Sequence, residues 1–183
     1  MNIETKVLYI NKYNNFRDLL NKETIQKVLP NMTNIENGVE IYHKYYTSED
    51  ENKYNVLAIG LETIKTHDLT LDDIYYNYIS NGEKVYELRI NDDKRKNMKE
   101  SDYVNFYNRM NKDDKIIKTK IIQRKEYKSF LEAITDIGYK QLMPQTNSID
   151  EAVNIYEKID NGNYFKEAQL KGVVVFKIEL STL

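Results

Sequence analysis

The sequence predicts an α+β protein: a small β-barrel with flanking helices. Three observations carry that expectation. The chain repeats itself at a fixed offset, each copy runs strand–helix–helix–strand, and a central stretch rich in strand signals has no counterpart upstream.

The repeat comes first, because self-similarity sets the layout of everything else. Shifted by 114 residues, the chain matches itself without a gap from Val7 to Lys44. Tyr13 meets Tyr127, Phe16 meets Phe130, Asp18 meets Glu132 and Pro30 meets Pro144. Ile35 meets Ile149, Val39 meets Val153, and Ile41-Tyr42 meets Ile155-Tyr156. The following loop is three residues longer in the second copy, after which Val56-Leu57-Ala58-Ile59 meets Val173-Val174-Val175-Phe176.

Each copy reads alike. A β-branched or aliphatic strand opens it, Val7–Ile10 or Ile116–Gln123. A helix follows with Phe16, Leu19 and Leu20, or Phe130, Ala133 and Ile134, at i, i+3, i+4 spacing. Pro30 or Pro144 stops it. A second helix starts after Asn34 or Ser148, residue types that cap helix N-termini. It carries Ile35, Val39 and Tyr42, or Ile149, Val153 and Tyr156. The last element is a fully apolar strand, Val56–Leu61 or Val173–Leu180, of the kind a barrel core buries.

Between the copies, Leu71 to Ile79 is expected to be helical, with Leu71, Ile74, Tyr75 and Tyr78 on one face, and Asn81-Gly82 to end it. Lys84 to Ile90 is expected to be a strand. Val104–Tyr107 and Ile116–Thr119 read as a hairpin joined by a polar loop. The layout expected is a C-terminal half copy in residues 1–61 and a complete copy in 63–183. A permuted pairing over 1–116 stays open; contiguous pairing is simpler.

Composition bounds the function classes. With 40% hydrophobic and 31% charged residues, the chain reads as globular. It has no cysteine and two histidines far apart, so neither a disulfide framework nor a dedicated metal site is expected, and no cofactor. No apolar run approaches 18 residues and the start lacks a signal-peptide layout, so the expectation is an intracellular protein with no membrane partner. Richness in Asn, Lys, Ile and Tyr fits an AT-rich microbial or viral genome. Net charge is −2, but its distribution is uneven: Lys84 to Lys128 holds 14 Lys/Arg against 8 Asp/Glu. A basic centre lies between acidic flanks, either as a solvated face or as a surface for polyanions.

On an extended strand, Val85, Glu87 and Arg89 share one side, and Tyr86, Leu88 and Ile90 the other. Glu87 and Arg89 can pair to close a barrel mouth or form a polar cleft floor, with Lys84 reaching the same place. Arg suits planar recognition of phosphate or a base edge, and Lys84 and Glu87 are candidate acid–base groups. Lys94 and Arg95 can contact phosphate from a turn. Tyr75, Tyr76 and Tyr78 can stack on bases, though their helical spacing favours a core role. His67 reads as a buried hydrogen-bonding residue, and Asp102 as a turn cap.

The segment from Ile79 to Arg89 holds Gly82, Lys84, Glu87 and Arg89. Asp92-Asp93-Lys94-Arg95 follows, then Ser101-Asp102-Tyr103-Val104. This resembles the ASCH signature of the PUA-like superfamily: glycine, lysine, then glutamate and arginine on a strand, an acidic–lysine–arginine turn, and a glycine–aspartate pair opening the next strand. His67-Asp68-Leu69 resembles the usual start of such domains, and Tyr45 to Ile59 the usual end. Ser101 departs from the family's glycine. The resemblance implies a PUA-like barrel with a cleft for RNA or a nucleotide-like ligand, lined by Lys84, Glu87 and Arg89 with Lys94 and Arg95 at its rim. It also implies an alternative: a metal-independent RNA-processing enzyme, either a ribonuclease or a modified-nucleoside hydrolase. One branch hydrolyses acetylated cytidine with a lysine, a threonine and a glutamate; Lys84 stands at the lysine's place, but Glu87 occupies the threonine's. A further reading, which rests on the half copy and not on the resemblance, is an interaction module in which residues 1–61 pair with a second chain by swapping, as a homodimer, or occupy the complete domain's cleft.

Overall fold

The computed structural model describes residues 3–181 and comprises two compact units, Met1–Thr63 and Ile64–Leu183. The first unit runs β1 (Thr5–Tyr13), α1 (Phe16–Glu23), α2 (Ile25–Val28), α3 (Ile35–His43), α4 (Ser48–Tyr54) and β2 (Val56–Thr63). β1 and β2 form an antiparallel two-stranded sheet, with Tyr13 opposite Val56 and Thr5 opposite Thr63. The Asn15 and Asn34 side chains accept from the amides of Asp18 and Asn37, satisfying donors that the first turns of α1 and α3 leave open. The helices bury Phe16, Leu19, Leu20, Ile25, Val39 and Val56 together. On that same side of β1, Tyr9, Asn11 and Tyr13 donate to Glu23. These three hydrogen bonds hold the Glu23 carboxyl down to about 2.

The second unit runs β3 (Thr66–Leu71), α5 (Asp73–Ser80), β4 (Tyr86–Ile90), α6 (Asp93–Lys96), β5 (Tyr103–Asn108), β6 (Ile117–Tyr127), α7 (Phe130–Ile137), α8 (Tyr139–Leu142), α9 (Ile149–Lys158), a 3-10 turn (Ile159–Gly162), α10 (Asn163–Lys171) and β7 (Val173–Leu180). Its strands make one curled, half-barrel sheet in the order β3-β5-β6-β7-β4. Only β3 runs parallel to its neighbour; the other pairs are antiparallel. β7 is an interior strand, between β6 and the edge strand β4, and its apolar run faces both ways. Val173 and Val175 pack with Leu88, Tyr127, Phe130, Ile134 and Tyr156 under the helices. Val174, Phe176 and Ile178 pack with Leu69, Leu71, Tyr76, Ile79, Met98, Val104 and Phe106 on the other face.

The repeat seen in the residues recurs in space. α7 and α8 begin and end 114 residues after α1 and α2, and β7 begins and ends 117 residues after β2. The β-bulge between Val7 and Tyr9 recurs between Ile121 and Gln123. Phe16 stacks on Tyr42 at 4.4 Å, and Phe130 on Tyr156 at 4.2 Å. In both copies the first helix is broken before the proline, at Thr24 (φ 70°) and Gly138 (φ 95°). A residue with positive φ cannot continue a right-handed helix, so the single helix expected from the pattern is two.

Two expectations between the copies need correction. Leu71 ends β3 and is not helical. The helix begins at Asp73, and it buries Tyr76 and Ile79 rather than Ile74 and Tyr78. The strand Thr66–Leu71 alternates exposed and buried positions at its C-terminal end, and a 3.6-residue reading of Leu71 to Tyr78 absorbed Leu71 into a helix.

Asp102 is a turn cap. Its carboxylate accepts from the amides of Lys65 and Lys99 and meets His67 Nε2 at 2.8 Å. The preceding residue, Ser101, has φ 79°. A side chain at positive φ is strained where glycine is not. Ser101→Gly is therefore expected to stabilise the second unit by roughly 0.5–1 kcal/mol, read as a raised denaturation midpoint with an unchanged slope.

Candidate functional site

β7 fixes where β4 lies. Their antiparallel register sets Glu87 opposite Phe176 and Arg89 opposite Val174. Leu88 and Ile90 turn into the helical core, so Glu87 and Arg89 point to the other face. There Arg89 Nε donates to Glu87 Oε1 at 2.6 Å, and Lys84 Nζ lies 3.2 Å from Glu87 Oε2. All three side chains are largely buried.

The two cations are also tied to backbone. Lys84 Nζ donates to the carbonyls of Tyr86 (2.5 Å) and Leu142 (2.7 Å). With Glu87 this accounts for its three protons. Arg89 Nη2 donates to the carbonyl of Thr70 at 2.8 Å. Thr70 belongs to β3 and Arg89 to β4, the two opposite edges of the sheet. That bond closes the curl, and Lys94 Nζ makes a second closure to the carbonyl of Asp68 on β3. Among the described residues, Arg89 Nη1 makes no protein hydrogen bond.

Burial raises the Glu87 carboxyl, but the charges of Arg89 and Lys84 and their hydrogen bonds outweigh it. It therefore lies below the ordinary glutamate range. Burial lowers the Lys84 ammonium, and Glu87 only partly offsets this. Arg89 remains a firm cation: burial works against it and the Glu87 carboxylate prevails.

Above this ion triplet is a cleft of ≈ 270 Å³. Its walls are Tyr75 of α5, Tyr156 of α9 and Tyr164 of α10, with Met143, Ile155 and Ile159; Arg109 stands at the opening, paired with Asp72 at 2.8 Å. Gln145 Nε2 donates to the Tyr75 hydroxyl at 2.9 Å, and the Ile90 amide to the Tyr164 hydroxyl at 3.3 Å. Burial holds all three phenols protonated beyond their usual range, Tyr156 most of all. Phe130 stacks behind Tyr156 and Tyr164, which fixes their rings. The result is a ring-lined slot with one guanidinium and one carboxylate at its floor.

The candidates read from the sequence divide into two groups. Lys84, Glu87 and Arg89 come together in this cleft. Lys94 and Arg95 lie on α6 outside its lining; the Arg95 guanidinium pairs with Asp92 at 2.6 Å, and Asp92 caps α6 by accepting from the Arg95 amide. Arg95 still bears on the site electrostatically, since its charge acts on Tyr164. Reasoning from sequence missed Tyr164, Arg109 and Thr70. Tyr164 follows a turn with positive φ at Asp160, Asn161 and Gly162, where periodicity gives no signal. Thr70 contributes only its carbonyl.

The fold and cleft define a class: a mixed α+β half-barrel with a ligand-sized slot between its sheet edges and its helices. No family model matches the chain, and no curated protein matches it by sequence. Two solved structures share the fold. The crystal structure of hypothetical protein PH0355 is 27% identical, with a TM-score of 0.55 over 63% of this chain and 99% of its own. The solution NMR structure of protein PF0455 from Pyrococcus furiosus is 23% identical, with a TM-score of 0.51 over 64% of this chain and 99% of its own. Those shares exceed what the 63-residue first unit can supply by itself.

Removing one charge from the triplet leaves the others buried and unbalanced, a cost of about 3–5 kcal/mol. Glu87→Gln is expected to lose that much stability by urea denaturation, and Glu126→Gln, an exposed partner of Arg124, less than about 1 kcal/mol. The sign in pH follows from a depressed folded value. Glu87 stabilises fully above the unfolded glutamate range near ~4.3, and that stability is lost as pH falls through the lower folded value. Glu87→Gln should flatten this acid limb.

Proposed function

We propose that the second unit is an ASCH-type, PUA-like binding module that takes one base of an RNA, or a nucleotide-like ligand, into the cleft above Lys84, Glu87 and Arg89. The observation that carries this reading is the pairing of a tyrosine-walled slot with an Arg89 guanidinium whose Nη1 is uncommitted. Rings of Tyr75, Tyr156 and Tyr164 suit the faces of a base, an interaction worth about 1–3 kcal/mol per base. Arg89 suits an acceptor edge or a phosphate, and Glu87 suits an exocyclic amino group. The size favours a single nucleoside, near the lower end of ligand sites. Arg109 at the opening, and Lys94 and Arg95 on α6, supply positive charge for the flanking backbone. The positive φ of Ser101 supports the family reading, because a glycine is what the ASCH signature carries there.

A second reading rests on Lys84. A buried lysine held below its ordinary range beside a carboxylate is a general-base arrangement, which fits a metal-independent RNA-processing enzyme. The two carbonyls that hold Lys84 Nζ weigh against it.

The test is fluorescence anisotropy of a labelled mixed-sequence single-stranded RNA at 50 mM salt, with Arg109→Ala and Arg89→Ala. Arg109→Ala changes an exposed residue and leaves the fold intact. A loss of about tenfold or more with Arg109→Ala and a salt-weakened affinity are expected; no binding, or equal binding by both variants, contradicts the module. Mass spectrometry of the same RNA separates the readings. Intact RNA fits binding; RNA altered by the parent chain and spared by Lys84→Arg fits the enzyme.

A further inference from the structure

The first unit repeats the back half of the second, but without the elements that cover one side of it. In the second unit, β6 lies against β5 and β7 against β4, and the face opposite the helices is sealed by β3, β5 and α5. Ile121, Val174, Phe176 and Ile178 on that face are at most 3% exposed. Their counterparts in the first unit are Val7, Leu57, Ile59 and Leu61, which are 52–57% exposed. Among the described residues, no strand pairs with either outer edge of β1–β2.

The register shows that these residues form one surface. Val7 lies opposite Leu61 and Ile10 opposite Ile59, with Leu57 next in line, whereas Tyr9, Asn11 and Tyr13 face the helix side. Ile3 and Leu8 extend the exposed apolar surface. A contiguous apolar sheet face with two free edges is an interaction site or an aggregation hazard.

What covers it can be read from how the two copies differ. The second unit has Arg124 where the first has Ile10; Arg124 donates to Asn91 Oδ1 and Glu126, on the covering side. Glu126 in turn corresponds to Lys12. The first unit has lost the polar matches for a covering element like the second unit's own. It has gained an isoleucine instead, and the patch carries no charge except Lys12 at its end. An apolar face with a single charge at its end is complementary to itself. At the stated exposures, its seven apolar side chains present roughly 750 Å², about one partner's share of a standard interface of ~1,600 Å².

We propose that the β1–β2 face is a homodimer interface, in which two copies of this chain pack their first units sheet on sheet through Val7, Ile10, Leu57, Ile59 and Leu61. The arrangement is isologous, the usual form of a two-fold dimer, and each sheet supplies one inner layer of the shared core.

Sedimentation equilibrium of the full chain from 1 to 100 µM tests this. The parent chain is expected to sediment as a dimer, twice 21.8 kDa, with little change at 0.5 M salt. Ile59→Glu and Ile10→Arg are expected to weaken association at least tenfold, and Leu170→Lys, exposed on the second unit, to leave it unchanged. Ile10→Arg places there the residue that the second copy carries in the same frame, so it keeps the proposal testable if Ile59→Glu fails to fold. A parent chain that stays monomeric at 100 µM overturns the proposal, and so does a folded Ile10→Arg variant that dimerises as the parent does.

Discussion

The second unit depends on one strand. β7 has apolar side chains on both faces, and its first four residues are almost fully buried. A strand of this kind belongs inside a sheet that is covered on both faces. Its pairing with β6 anchors the repeated helical pair, and its pairing with β4 sets the register that brings Glu87 and Arg89 to the same face. The curl of the sheet then carries β3 round until Arg89 can bond the Thr70 carbonyl. Burying a carboxylate in that gap is unfavourable by itself. It is sustained because Arg89 and Lys84 flank it, with Lys84 held by the carbonyls of Tyr86 and Leu142 and Arg89 Nη2 by that of Thr70. The triplet therefore closes the half-barrel and at the same time forms the floor of a cleft.

The same frame, repeated in the first unit, has a different fate. The stacked Phe16–Tyr42 pair, the bulge and the broken helix are preserved, so the helix-side core is complete by itself. The opposite face retains its apolar character without the covering strands. Internal duplication here separates two roles that one domain combines: a core that folds, and a face that must be covered from elsewhere.

Much of the frame is legible in the sequence because it rests on local signals. The paired Asn34/Ser148 caps, the Phe–Leu–Leu and Phe–Ala–Ile spacings and the β-branched ends announce the repeated elements. The β5–β6 hairpin shows in the same way. β3 was missed because an edge strand of six residues, parallel to its neighbour, has no turn signal linking it to that neighbour. The cleft floor was legible as a group, since Lys84, Glu87 and Arg89 lie within six residues of each other. Its walls were not. Tyr156 looked like a core residue of a repeat and Tyr164 like part of a weakly patterned tail; only the packing of α9 and α10 brings them to Tyr75. Nor could any spacing show that Lys84 is held by two carbonyls, one of them 58 residues away.

The claim that joins these parts is that the tyrosine-walled cleft receives a base. The most direct measurement is NMR of the full chain with ring-labelled tyrosine, titrated with the four nucleosides and their 5′-monophosphates. The account predicts that the ring signals of Tyr75, Tyr156 and Tyr164 shift together and saturate, while those of Tyr9, Tyr13 and Tyr45 in the first unit stay in place. Saturable shifts confined to other tyrosines, or none from any nucleoside or nucleotide at millimolar concentration, would contradict it.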